Sequence, residues 1–163
     1  ADVNMKNDTT SYYRSIVYKA YLQTKRKEYV KAKESFLLAD SYRSEIDFCA
    51  SENIQLLTQM QRAKYKSPTL ARVLSIIPGG GYLYTKHTGS AITSLVMNSL
   101  LAYATYTSIK SENYGLASIC GFLSLSFYFG NINGAGRSAI RYNEKIHRDY
   151  TTKIYNANKL FIY

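Results

Sequence analysis

Two long stretches of this chain carry no charged side chain: Thr88 to Ile109, and Asn113 to Gly136. The short connector between them holds Lys110 and Glu112. Each stretch is long enough to cross a bilayer, and inside lipid only a helix satisfies its own backbone polar groups. The pattern predicts an all-α chain with a two-helix transmembrane hairpin over residues 87–136. Such spans also fit a buried helical hairpin in a soluble all-α adaptor. Length combined with absence of charge favours the bilayer.

Both stretches are diluted by polar groups. The first contains Thr93, Ser94, Asn98, Ser99, Thr105 and Thr107, and the second Ser118, Ser124, Ser126 and Asn131. Such helices insert less strongly than runs of Leu and Ile. A partner helix facing the polar positions removes that penalty. Gly130, Asn131 and Gly134 are the expected packing face, since glycines four residues apart let two backbones approach. The same run, Gly130-Asn131-Ile132-Asn133-Gly134, also reads as a helix break. Tyr103, Tyr106, Tyr114 and Tyr128 stand near the span ends, where amphipathic rings favour headgroups.

Residues 1–66 read as a helical, basic, tyrosine-rich region. Ser11 is a candidate cap for a helix running to about Lys25, followed by the polar turn Lys25-Arg26-Lys27-Glu28. The spacing of Tyr29, Ala32, Phe36 and Ala39 sets an apolar stripe along a second helix. That stripe resembles the second helix of a tetratricopeptide repeat, in which small residues allow close contact and an aromatic fills the groove. Read so, Tyr29, Ala32, Phe36 and Ala39 line a partner groove; an ordinary helical hairpin is the alternative. A third helix is expected from Ser41 or Glu45 to about Lys64, with Ile46, Phe48, Ile54, Leu57, Met60 and Ala63 along it.

Residues 67–86 form a connecting segment. Pro68 suits the first turn of a short helix through Leu70, Val73, Leu74 and Ile77, expected to lie at the membrane interface with Arg72 on its polar side. Pro78, Gly79, Gly80 and Gly81 end it, with Tyr82, Leu83 and Tyr84 behind them. Glycine supplies positive φ and room for close backbone approach. A glycine run can also hold a phosphate, but that needs a preceding strand and a following Lys-Ser/Thr, and neither is present. Lys86 then stands at the mouth of the first span.

Residues 137–163 read as a basic amphipathic tail. Arg137, Arg141, Lys145, Arg148, Lys153 and Lys159 outnumber Glu144 and Asp149. Lys86, Arg137, Arg141, Lys145 and Arg148 are the candidate contacts to anionic lipid headgroups; a solvated helix face is the bland alternative. The net charge of +10 also raises nucleic acid. No helix-turn-helix, RNA-binding or zinc pattern accompanies it, and the charge is spread along the chain. Cys49 and Cys120 are far apart, and His87 and His147 are isolated, so no metal spacing arises. With no Ser/His/Asp, Cys/His or paired-carboxylate arrangement, we expect no enzyme, no cofactor and no small-molecule substrate.

The motif Pro78-Gly79-x-Gly81-x-x-Tyr84, followed by a basic residue and Gly89, resembles a bacterial family of small membrane hairpins. So does Phe127-Tyr128-Phe129-Gly130-Asn131-Ile132, continued by Gly134, Arg137, Ala139 and Arg141-Tyr142-Asn143. The resemblance covers about half the chain, roughly Leu70 to Lys145. Members are tetratricopeptide-repeat proteins of the cell envelope, made with a signal peptide and sometimes joined to a YidD-type membrane-protein insertion factor. The YidD-type domain has no counterpart in this sequence. The resemblance implies a multi-pass bacterial membrane protein with a periplasmic N-terminal region, and Ala1-Asp2-Val3 suits a processed start. Charge pulls the other way: the basic flanks exceed the connector's Lys110, which by the positive-inside rule puts the flanks in the cytoplasm.

The expected role is a non-catalytic, membrane-anchored adaptor or accessory subunit of an envelope complex, with lipids and other envelope subunits as partners. The alternative is an accessory factor in membrane-protein insertion, assembly or transport, using Asn98, Asn131 and Asn133 as intramembrane polar contacts.

Overall fold

A computed structural model describes residues 2–41 and 50–158, with side chains from residue 11 onward. Every regular element among the described residues is a helix, as expected: α1 (Asp2–Lys25), α2 (Tyr29–Asp40), α3 (Ala50–Arg62), α4 (Pro68–Leu74), α5 (Gly80–Tyr84), α6 (Thr88–Lys110) and α7 (Tyr114–Ala157). The chain forms two compact units, one of Ala1–Lys64 with Lys145–Tyr163, the other of Tyr65–Glu144.

In the first unit, Tyr13, Ile16, Val17 and Ala20 recur at helical spacing and make the inner face of α1. Lys27, at φ 62°, turns the chain into α2. Ala32, Phe36 and Ala39 of α2 and Ala50, Leu57 and Met60 of α3 complete the core with Ile154 from the end of α7. Alanine at 20, 32 and 39 brings the helices close, and Phe36 fills the middle with no exposed surface. Asn53 and Asn158 join α3 to the residue after α7 by reciprocal amide bonds of 3.1 and 2.9 Å. Burial raises the Tyr13 phenol above its ordinary pKa, and the nearby charge of Asp40 adds to the effect.

Two expectations for this region need correction. Helix α1 begins at Asp2, so Ser11 lies inside it and caps nothing. Ala32, Phe36 and Ala39 do not line an open groove. All are fully buried beneath the protein's own helices, with Tyr29 packed half-buried against them. Glu45, Ile46, Phe48, Cys49 and Lys159 lie outside the described residues.

In the second unit, the Ser67 hydroxyl accepts from Leu70 N at 3.2 Å and Pro68 takes the first helical position of α4. A turn over residues 75–79 leads to α5. Helix α6 (23 residues) is followed by a tight turn in which Glu112 has φ 55°. Asn113 then caps α7, its Oδ1 accepting from Leu116 N at 3.2 Å. Helix α7 runs unbroken for 44 residues, so Gly130 to Gly134 is no helix break, and no break separates residues 136 and 137.

Helix α7 is long and apolar enough to cross a membrane by length and composition; among the described residues it alone is. Only 11% of its apolar window is buried, which is not how a soluble core helix sits. Helix α6 has the length but is diluted by Ser, Thr and Asn. Several of those groups bond within their own helix: Thr105 Oγ1 donates to Leu101 O, Thr107 to Tyr103 O, Ser108 to Ala104 O, and Asn98 Nδ2 to Ser94 O. In α7, Ser118 and Ser126 donate in the same way to Tyr114 O and Phe122 O. These bonds spare the side chains a need for water.

Candidate functional site

The most elaborated region of the second unit is where the Pro-Gly motif meets α7. Asn131, 4% exposed, stands at its centre. Its Nδ2 donates to the Ser75 carbonyl at 2.9 Å, and its Oδ1 accepts from Gly79 N at 3.2 Å. The Ser94 hydroxyl of α6 donates to the same Oδ1 at 2.5 Å. Three elements are thus joined through one side chain. One turn away, the Tyr128 hydroxyl donates to Ile76 O at 3.0 Å.

The glycines of the motif are needed for space as well as conformation. Gly79 has φ 89°, and a Cβ there would lie 2.5 Å from Ala91 O. A Cβ on Gly81 would lie 2.1 Å from Ala71 O and 2.7 Å from Ala135 Cβ. Ala71, Ala135 and Ala139 form a small core here, with Tyr82 and Tyr84 packed against it. On the α7 side Gly134 lies under the Tyr82 hydroxyl, and Gly136 under the Arg72 guanidinium stem. Gly130 meets nothing within 4 Å, so only Gly134 of the predicted pair supports close packing here.

Further along α7 a polar cluster holds the end of α5. Thr85 Oγ1 and Ser138 Oγ are 2.9 Å apart, and Ser138 Oγ is 2.9 Å from His87 Nδ1. That Nδ1 also lies 3.0 Å from Thr85 O. A carbonyl only accepts, so the Thr85 contact is a hydrogen bond in the tautomer that carries its proton on Nδ1, while in the other tautomer Nδ1 accepts from Ser138. Ser138 has no exposed surface. These contacts fasten the turn after α5 to α7.

The start of the segment is strapped in a similar way. The Asn143 amide donates to Lys66 O and accepts from Lys66 N, both at 2.8 Å. Ser67 N donates to the Tyr84 hydroxyl at 3.1 Å, and the Lys66 ammonium lies 4.4 Å from the Tyr84 ring centre. Of the motif residues, Gly79 and Gly81 are buried, Tyr84 is half-buried in this strap, and Pro78 is half-buried beside a cleft of about 400 Å³ that Tyr128 and Leu95 also line.

A larger cleft of about 730 Å³ opens between α5, α6 and α7. Its lining is largely apolar, from Met97, Phe127 and Tyr82, with Ser90, Thr93, Asn98 and Ser126 as polar points on it. The predicted headgroup contacts, Lys86, Arg137, Arg141, Lys145 and Arg148, are all exposed. Lys86 has φ 63°. Among the described residues no cluster of His, Cys, Asp and Glu is able to hold a metal ion.

The sequence singled out Asn131 and its partner Gly79, but not the partner Ser75. Ser75, Ser138 and Tyr82 carry no local signal, because their roles depend on contacts more than fifty residues away in the chain.

No family model, curated protein or solved structure matches this chain.

Proposed function

We propose that this chain is a non-catalytic, membrane-anchored adaptor or accessory subunit of a larger bacterial envelope complex. One observation carries the reading: the apolar length of α7 is bare. Phe122 is 72% exposed, Ile119 61% and Phe129 60%. On α6, Ile92, Leu100 and Tyr103 are equally uncovered. Apolar surface on this scale demands a cover, and lipid suits helices in which many of the polar side chains bond to their own backbone. In this reading α6 and α7 form the two-span hairpin. The basic Lys86, Arg137 and Arg141 then share one membrane face, which the envelope resemblance puts on the periplasmic side. The helices of the first unit, with their core closed, present an outer surface to other subunits.

A second reading rests on the cleft between α5, α6 and α7, whose largely apolar wall carries a few polar groups: an accessory factor in membrane-protein insertion or assembly. Ser90, Thr93 and Asn98 would there meet a polar residue of a client helix passing through the bilayer.

Carbonate washing of native membranes, followed by mild extraction and capture on a tag after Tyr163, tests both. Carbonate resistance with a stoichiometric membrane protein co-eluting is the expected result. Carbonate resistance with substoichiometric capture of many membrane proteins supports the second reading. Release by carbonate overturns both and leaves a soluble helical adaptor.

A further inference from the structure

We infer that α4, the turn after it and α5 form a re-entrant element, whose tip dips into one leaflet and sets Ile76 and Ile77 against acyl chains. The inference rests on the reading that α6 and α7 span the bilayer. It departs from the flat interfacial helix expected of residues 67–86.

Register against α7 gives the depth. The segment begins at Lys66 beside Asn143, descends to Ile76 beside Tyr128, and returns through Gly79 beside Asn131 to Thr85 beside Ser138. Arg137 is the first charge on α7 after its uncharged stretch. At about 1.5 Å per helical residue, Asn131 lies about 9 Å and Tyr128 about 14 Å below it along the axis. Half of a hydrocarbon core is about 15 Å. The tip thus reaches most of the way to the midplane, while Thr85, Ser138 and His87 stay at the level of Arg137.

The chemistry of the tip agrees with that depth. No charge occurs between Arg72 and Lys86. Ile76 is 61% and Ile77 72% exposed, and Val73 and Leu83 on the two limbs are 54% and 58% exposed. A turn in water leaves its backbone to the solvent, whereas a turn in lipid must be satisfied by protein. Here Ser75 O and Gly79 N are taken by Asn131, Ile76 O by Tyr128, and Ile77 O by Gly80 N at 2.9 Å. Pro78 has no N–H to satisfy. Two side chains from a distant part of the chain do what water does for an exposed turn.

Spin labels at single cysteines test this in the full chain, with Cys49→Ser and Cys120→Ala as background and Ile77→Cys, Phe122→Cys and Val30→Cys as sites. All three positions are strongly exposed, so a label there displaces little. The protein is reconstituted into vesicles of zwitterionic and anionic phospholipid, and collision with oxygen is compared with collision with a water-soluble nickel chelate. The expected result is an oxygen-dominated ratio at Ile77 close to that at Phe122, with Val30 dominated by the chelate. Chelate access at Ile77 with Phe122 still in lipid overturns the re-entrant tip and leaves the spanning reading intact. Low access to both reagents at Ile77 also overturns it, because protein then covers the tip. Chelate access at Phe122 overturns the spanning reading itself.

Discussion

The Asn131 amide donates to the carbonyl of Ser75 at 2.9 Å, where helix α4 has ended and α5 has not begun. The same side chain receives Gly79 N across the turn and the Ser94 hydroxyl from α6. A short turn that would otherwise need solvent is thereby fixed to a long helix. Substitutions should separate the consequences of this one contact from those of general packing.

Asn131→Leu keeps the branched shape and the number of heavy atoms, at a somewhat larger volume, and removes every polar bond. Ser75 O and Gly79 N are then left without their partner in a buried place, which costs about 1–3 kcal/mol per group. We expect a clear fall in the melting temperature of the detergent-extracted protein. Asn131→Asp keeps the acceptor for Gly79 and Ser94 but loses the donor to Ser75, so it too should destabilise. An unchanged melting temperature for the Leu variant would remove Asn131 from the centre of this site.

The glycines should fall in an order that spacing alone does not give. Gly81→Ala drives a Cβ to within 2.1 Å of the Ala71 carbonyl, which is backbone and does not yield cheaply. Gly134→Ala meets the Tyr82 hydroxyl, the far end of a side chain that can swing away. Gly130→Ala enters open space inside a helix, where alanine is favoured by about 0.5–1 kcal/mol. Melting curves should therefore rank Gly81→Ala well below Gly134→Ala, with Gly130→Ala at or above the parent. A severe loss at Gly130 would show that a partner outside this chain packs there.

Phe36→Ala tests whether the α2 stripe is core or docking surface. With no exposed surface and neighbours on α1 and α3, its truncation should cost about 3–5 kcal/mol of unfolding free energy. Denaturant titration followed by circular dichroism reads that directly. Loss of a bound partner at unchanged stability would be the docking result instead.

Much of the fold was legible because charge and periodicity are local signals. The uncharged runs located α6 and α7, Ser67-Pro68 located the start of α4, and the Tyr29–Ala39 spacing identified an inner face. Periodicity names a face but not what covers it. The core that buries Phe36 also takes in Ile154, from the far end of the chain, and local spacing carries no sign of that closure. Gly130 and Gly134 suggested a break because glycine is costly in a helix, yet that cost is small beside the packing of Ala135 and Ala139. Asn131 was visible as a polar residue in a span; its bond to Ser75 was not, since a side chain's distant backbone partner leaves no pattern in sequence.

Alkali should weaken the first unit through Tyr13. Its ring is 5% exposed, and burial together with Asp40 raises its pKa, so the folded state holds a proton that the unfolded chain releases near pH 10. For a group whose pKa is raised by folding, the contribution is complete below the unfolded value and is lost as pH climbs past it. The loss proceeds at no more than about 1.4 kcal/mol per pH unit. Tyr13→Phe removes this proton and should flatten the decline between pH 10 and 11.5 relative to the parent, even though it begins from a different stability at neutral pH. Unfolding free energies for both proteins across that range provide the check. Parallel declines would mean that Tyr13 ionises as readily folded as unfolded, and that its burial does not disfavour the phenolate.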